Sequence, residues 1–163
     1  MQRLSFFFGL IFLLAVLASC ETEQQAPELT EEDLAELVPY VSLGRGVQAS
    51  LDTTTTRMIS ELSIWLAYTD SLRPLLPFTS VDFELEMVLL AAVDVNSAGY
   101  DLRFESVESL RDTVVATYRL FSPGTDCRPS YAPGVPFEAI RIPRAHTAVR
   151  FVRVDEAVDC APS

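Results

Sequence analysis

Met87 to Val93 are seven apolar side chains in succession, rich in Val and Leu, and any fold for this chain has to be built around them. A β-strand sends alternate side chains to opposite faces, so a run without a polar position leaves neither face fit for water. Such a strand belongs inside a sheet that is covered on both sides. The stretches that follow are patterned differently. Tyr100, Leu102 and Phe104 alternate with Asp101, Arg103 and Glu105, as in a strand with one buried and one wet face. Thr113 to Phe121 is a long β-prone run. Phe137 to Ile142 and Thr147 to Val154 read as a hairpin turning at Pro143-Arg144-Ala145-His146.

Upstream, Met58, Ile59, Leu62, Trp65 and Leu66 recur at helical spacing, with Ser60, Glu61 and Ser63 on the other side. The spacing predicts an amphipathic helix that lays its Trp65 face on the sheet, and the run Thr53 to Thr56 supplies its cap. Residues 43 to 50 read as a strand or extended arm, and Pro74 and Pro77 mark a loop. Thr30-Glu31-Glu32-Asp33 reads as a helix start, with Leu29 able to staple onto Leu34 and Pro39 ending the helix. The expected architecture is one α+β domain over residues 30–163. It comprises a short N-terminal helix, then one amphipathic helix packed on a mostly antiparallel sheet of about five strands. No internal repeat is visible.

Residues 1–19 carry Arg3 and an apolar run from Phe6 to Leu17, and Leu17-Ala18-Ser19 leads directly into Cys20. A charged start, a short apolar core and small residues before a cut are what an export signal requires. The run is shorter than the roughly 20 residues of a membrane-spanning helix. A cysteine at the cut is the pattern of a bacterial lipoprotein: its thiol takes a diacylglycerol and its freed amine a further chain. At about 0.8 kcal/mol per buried CH₂, two or three acyl chains hold a protein on a membrane almost permanently. Cys20 is therefore the expected lipidation site and the cell envelope the expected location, facing the periplasm or the outside. Residues 20–29, polar and acidic without periodicity, read as a disordered tether.

The chain has no Lys, and without residues 1–19 it keeps 11 Arg against 23 acidic residues, a net charge of −12. That balance argues against nucleic acid and against basic docking on anionic lipid. The charge is uneven: residues 21–100 hold 14 acids and 3 Arg, whereas residues 101–163 hold 9 acids and 8 Arg. Cys127 and Cys160 are candidates for a disulfide in an oxidising compartment, the alternative being two free or differently paired thiols. Nothing in the sequence decides the oligomeric state.

Motifs for chemistry are sparse. Asp94-x-Asn96-x-Ala98-Gly99 with Glu105 follows the spacing of a calcium loop but lacks a ligand at Ala98, and it lies between strands, so a plain turn is expected and no metal. His146, the only histidine, falls in a turn without a recognisable nucleophile context, which favours a surface residue over a hydrolase base. Glu84 and Glu86 are a carboxylate pair of the kind expected by chance in an acidic chain. Arg103, Arg119, Arg141, Arg150 and Arg153 fall on strands, where cross-strand pairing with Asp101, Glu105 and Glu138 competes with a role at an interface. No catalytic residue and no cofactor is expected. The turn Asn96 to Tyr100 and the loop Ser122 to Pro136 are the candidate contact surface, with Asn96, Gly99, Tyr100, Arg128 and Tyr131 as contact residues.

Several segments carry a likeness to a known family. Asp82-Phe83, Glu86-Met87-Val88-Leu89, Ser97-Ala98-Gly99-Tyr100, Pro123-Gly124-Thr125-Asp126-Cys127 and Pro136-Phe137-Glu138-Ala139-Ile140-Arg141-Ile142-Pro143 resemble the PrcB C-terminal domain family, over roughly residues 78–145. The Trp65 helix also stands where that family has one. The resemblance implies a non-catalytic partner of an exported protease, acting as inhibitor, chaperone or assembly factor, and it supplies no catalytic residue. A domain that binds a small molecule or an envelope glycan is the alternative, and a hydrolase using carboxylates and His146 a more distant one.

Overall fold

The computed structural model describes residues 35–51, 53–73, 81–145 and 148–160. Along these run ten strands and one helix: β1 Glu36–Leu37, β2 Val41–Gly46, β3 Gln48–Ala49, β4 Thr55–Ile59, α1 Leu62–Thr69, β5 Leu72–Arg73, β6 Glu86–Ala92, β7 Asp101–Leu110, β8 Thr113–Pro123, β9 Phe137–Pro143 and β10 Ala148–Val158. The class is α+β, mostly sheet. The strands form two four-stranded sheets, ordered β1-β7-β8-β10 and β2-β9-β6-β4, and a small β3-β5 ribbon.

The continuous apolar run behaves as its composition requires. Met87 to Ala92 are all buried, and they feed two separate cores. Met87, Leu89 and Ala91, with Ile140 and Ile142 of β9, pack against Leu102, Phe104, Val107, Val114, Ala116, Tyr118 and Leu120 of the other sheet. Val88, Leu90 and Ala92, with Phe137 and Ala139, pack against Leu43, Ile59, Trp65 and Leu72 on the far side. Three layers result: the helix with its neighbouring segments, the β2-β9-β6-β4 sheet, and the β1-β7-β8-β10 sheet.

The half-buried strand expected around residue 102 is also present, with one refinement. Leu102 and Phe104 face the core, but further along the buried residue is Val107, so the alternation changes phase. A bulge between Phe104 and Ser106 makes the change, opposing Phe104 to Tyr118 and Ser106 to Thr117 and leaving Glu105 over. A bulge interrupts the ladder, and two side chains from outside the strand satisfy the backbone there. The Phe104 N–H donates to Glu138 Oε2 at 2.5 Å, and the Tyr40 hydroxyl donates to Phe104 O at 3.2 Å. Glu138 also accepts from Ser42 Oγ at 2.8 Å. Its carboxylate, 6% exposed on β9, thus links one sheet to the backbone of the other. Burial, then Glu138, then Glu105 push the Tyr40 hydroxyl above the ordinary tyrosine range.

Four expectations are corrected. Phe137–Pro143 and Ala148–Val158 are not a hairpin: β9 lies between β2 and β6, while β10 runs parallel to β8 in the other sheet. The physical reason is that β9 is buried on both faces whereas no residue of β10 is fully buried, so only β9 fits between the two cores. The sheet is two sheets rather than one of about five strands. The expected N-terminal helix does not reach Pro39, because Glu36 and Leu37 pair with Ser109 and Glu108 of β7; Thr30 to Asp33 lie outside the described residues. The Trp65 helix begins at Leu62, since Thr55 to Ile59 form an edge strand against β6, and Thr53 to Thr56 do not cap it. Trp65 is its one buried residue, and Leu62, Ile64 and Leu66 stay exposed, so the helix lacks a clean division into apolar and polar faces.

Glu138→Ala strands the Phe104 N–H and is expected to cost about 1–3 kcal/mol in denaturant unfolding. Glu138→Gln retains an acceptor and is expected to cost less, so equal losses for both variants would contradict the bridging role.

Candidate functional site

The two segments singled out as contact surface lie far apart in sequence and meet at one end of the sandwich. Val95 and Gly134 exchange backbone hydrogen bonds of 2.9 and 3.0 Å, and the Ala98 N–H donates to Ser130 O at 3.1 Å. Gly99 is required at the crossing, because its φ of +92° disfavours other residues and a Cβ would stand 3.0 Å from Pro123 Cγ.

The far side of the loop is braced covalently. Cys127 and Cys160 form a disulfide with their Cα atoms 5.2 Å apart. Beside it the Gly124 N–H donates to Val158 O at 2.8 Å, and the Cys160 N–H to Asp126 Oδ1 at 3.3 Å. The loop after β8 is thereby fastened to the end of β10, the strand parallel to β8.

Three hollows among the described residues border the joined loops, the smallest, of about 290 Å³, touching both Gly99 and Tyr100. A cleft of about 680 Å³ is lined by Gly99, Arg103, Phe121, Arg128, Glu156 and the disulfide, among others. A second of about 580 Å³ is lined by Asp94, Asn96, Tyr100, Tyr131 and Arg153, among others. The five candidate contact residues therefore divide, with Gly99 and Arg128 at the first hollow and Asn96, Tyr100 and Tyr131 at the second. Tyr131 is 82% exposed, whereas Tyr100 packs partly on the core.

Charges beside the first hollow are held in a network. Arg103 pairs with Asp101 at 2.7 Å and lies over the Phe121 ring, 5.4 Å from its centre. Arg119 donates to Glu105 at 2.6 Å and also to Glu156, and these two hydrogen bonds, Glu105's first, push its guanidinium above the ordinary arginine range. Arg103 and Arg119 stand opposite each other in the ladder, so the carboxylates relieve a like-charge pair. The expected cross-strand pairing is present for Glu105, with Arg119 of β8, whereas Asp101 pairs within its own strand with Arg103. Pairing with Glu138 does not occur, because Glu138 turns inward to Ser42 and Phe104. Arg141 pairs instead with Glu86 at 3.2 Å, and Arg153 with Asp155 at 2.7 Å.

The remaining motifs are placed as follows. Glu105 is occupied by Arg119, Asp94 is exposed, and no group of three or more His, Cys, Asp or Glu suited to a metal occurs among the described residues. Glu86 is held by Arg141, while Glu84 is exposed in the preceding turn. Cys20 and His146 lie outside the described residues. No helix among the described residues is long and apolar enough to cross a membrane. Glu138, expected as an arginine partner, is instead the buried bridge between the sheets; a lone acid within the apolar stretch Val135 to Ile142 was the signal for that role. Comparison with protein-family models, curated proteins and solved structures finds no match for this chain.

Replacing Cys127 and Cys160 together by Ser is expected to lower unfolding stability by about 2–4 kcal/mol and to speed amide exchange across Gly124 to Gly134. Unchanged exchange in that loop would show that the backbone contacts alone hold it.

Proposed function

We propose that this chain is a lipid-anchored, non-catalytic binding subunit that associates with or stabilises an exported protease. The observation that carries the binding reading is the union of the turn Asn96 to Tyr100 with the disulfide-braced loop after β8. Recognition surfaces are commonly loops held by a rigid scaffold, and here one end of the sandwich offers two such loops with Arg128 and Tyr131 exposed. Tyr and Arg are the side chains most often found as anchors of protein interfaces. The export signal ending in Cys20 supports the membrane anchor, and the resemblance to the PrcB C-terminal domain family supports a protease as the partner. An inhibitor, a chaperone and a scaffold would all use such a surface.

A second reading, binding of a small molecule or envelope glycan, is favoured by one feature. The cleft of about 680 Å³ beside Phe121 falls in the range of small-ligand sites, roughly 300–1,000 Å³.

Crosslinked affinity recovery of the tagged, lipidated protein from its own membranes, followed by mass spectrometry, tests the proposal. Near-stoichiometric recovery of an exported protease is expected, with a marked loss for Arg128→Ser combined with Tyr131→Ser, both exposed positions whose change leaves the core intact. Recovery of nothing above a Cys20-lipidated control protein would contradict it, and stabilisation of the purified protein by a glycan would then favour the second reading.

A further inference from the structure

Strand β10 is an edge of unusual character. Each sheet has two edges, and three of the four are blunted. β1 has two residues and the part of β7 it leaves uncovered is broken by the bulge between Phe104 and Ser106, β4 has five residues, and β2 is broken by a bulge between Ser42 and Gly44. β10 has eleven residues, no Pro, Gly or Lys, and a register with β8 that runs without a shift from Ala148 to Val158. Long, regular edges with unpaired backbone groups recruit further strands unless short length, Pro, Lys or bulges prevent it. Among the described residues, β8 is the only strand that β10 pairs with. Its end is fastened by the Cys127–Cys160 disulfide, so the edge is a fixed template rather than a fraying one.

The side chains specify what such an edge would accept. Register with β8 places Val149, Phe151, Arg153 and Asp155 on one side, beside Val114, Ala116, Tyr118 and Leu120, where Val149 and Phe151 pack on the core and Arg153 and Asp155 are exposed. Arg150, Val152, Val154 and Glu156 share the outer face with Arg119, to which Glu156 is bound. We propose that β10 pairs antiparallel with β10 of a second copy of this chain, centred on Arg153, joining two four-stranded sheets into one of eight.

In that register each Arg150 stands opposite the partner's Glu156, and each Val152 opposite the partner's Val154. Among the described residues Arg150 has no ion-pair partner, and the second copy supplies one. At the centre two Arg153 side chains meet, each held by its own Asp155, and the two cations and two anions alternate diagonally across the seam. Inward charges commonly guard an edge against foreign strands. Here Arg150 and Glu156 are matched by a second copy and mismatched by an apolar strand, while Asp155 stands opposite the partner's Phe151 and is balanced by its own Arg153. The overall negative charge opposes association only weakly, because β10 lies in the nearly neutral half of the chain, with 9 acids and 8 Arg over residues 101–163, and screening shortens the reach of the rest to about 8 Å at physiological salt. This self-pairing does not depend on the identity of any other partner.

The test uses the full chain in its own membranes, carrying Arg153→Cys and treated with a short thiol-to-thiol cross-linker. A covalent product of twice the chain mass is expected for Arg153→Cys and not for Asp70→Cys, an exposed position at the end of α1. Adding Arg150→Glu turns two attractive pairs into repulsive ones and is expected to reduce the product about tenfold. The proposal is overturned if Arg153→Cys yields only monomer, if it joins to a chain of different mass, or if Arg150→Glu leaves the dimer yield unchanged.

Discussion

Strand β6 has no face that tolerates water, and this constraint organises the molecule. A strand that is apolar on one face can rest on a single core; one apolar on both needs two. Its alternate residues therefore divide between the cluster shared with β7 and β8 and the cluster closed by Trp65, Leu72, Leu43 and Ile59. β9, its neighbour on one side, is buried on both faces for the same reason. The edge strand β4, on the other side, buries Ile59 alone. The three layers follow from this single demand, with the more polar strands displaced to the outer sheet.

The same arrangement explains how a carboxylate comes to be buried. Glu138 lies on β9 between Phe137 and Ala139, facing the second sheet where the β7 ladder is interrupted. A buried polar group is tolerated when its hydrogen bonds are satisfied. Glu138 meets that condition through Ser42 and the Phe104 N–H, and in doing so makes the bulge permanent. The bulge sets Glu105 outside the alternation, and its carboxylate holds Arg119, which also binds Glu156 of β10. A polar contact in the interior is thus connected, through one irregular residue, to the charge pattern of the outer face and the cleft beside it.

Much of the strand content was readable because period-two alternation and uninterrupted apolar runs report burial directly. Leu102 with Phe104 and the run from Met87 to Ala92 are of this kind. Partnership between strands was not readable. Phe137–Pro143 and Ala148–Val158 are separated by four residues, and proximity in sequence favours a hairpin; their different burial, complete on both faces of β9 and nowhere complete on β10, sends them to different sheets. Met58 and Ile59 fit a helical period and a strand equally well, and edge pairing with Leu89 and Val88 decided for the strand. The meeting of the Asn96–Tyr100 turn with the loop after β8 rests on backbone bonds such as Ala98 to Ser130, which leave no trace in side-chain pattern. The segments were identifiable from their Gly, Pro and Tyr content, but not their contact.

The central claim is that β6 is the shared wall of two cores and opens only when the whole structure does. Native-state hydrogen exchange measures this directly. The account predicts that the amides of Leu89 and Leu90 exchange only through global unfolding, with the same free energy, while amides of α1 and β4 exchange through smaller openings. Exchange of Leu89 or Leu90 at a lower free energy than the Leu102 and Leu120 amides of the other sheet would contradict it.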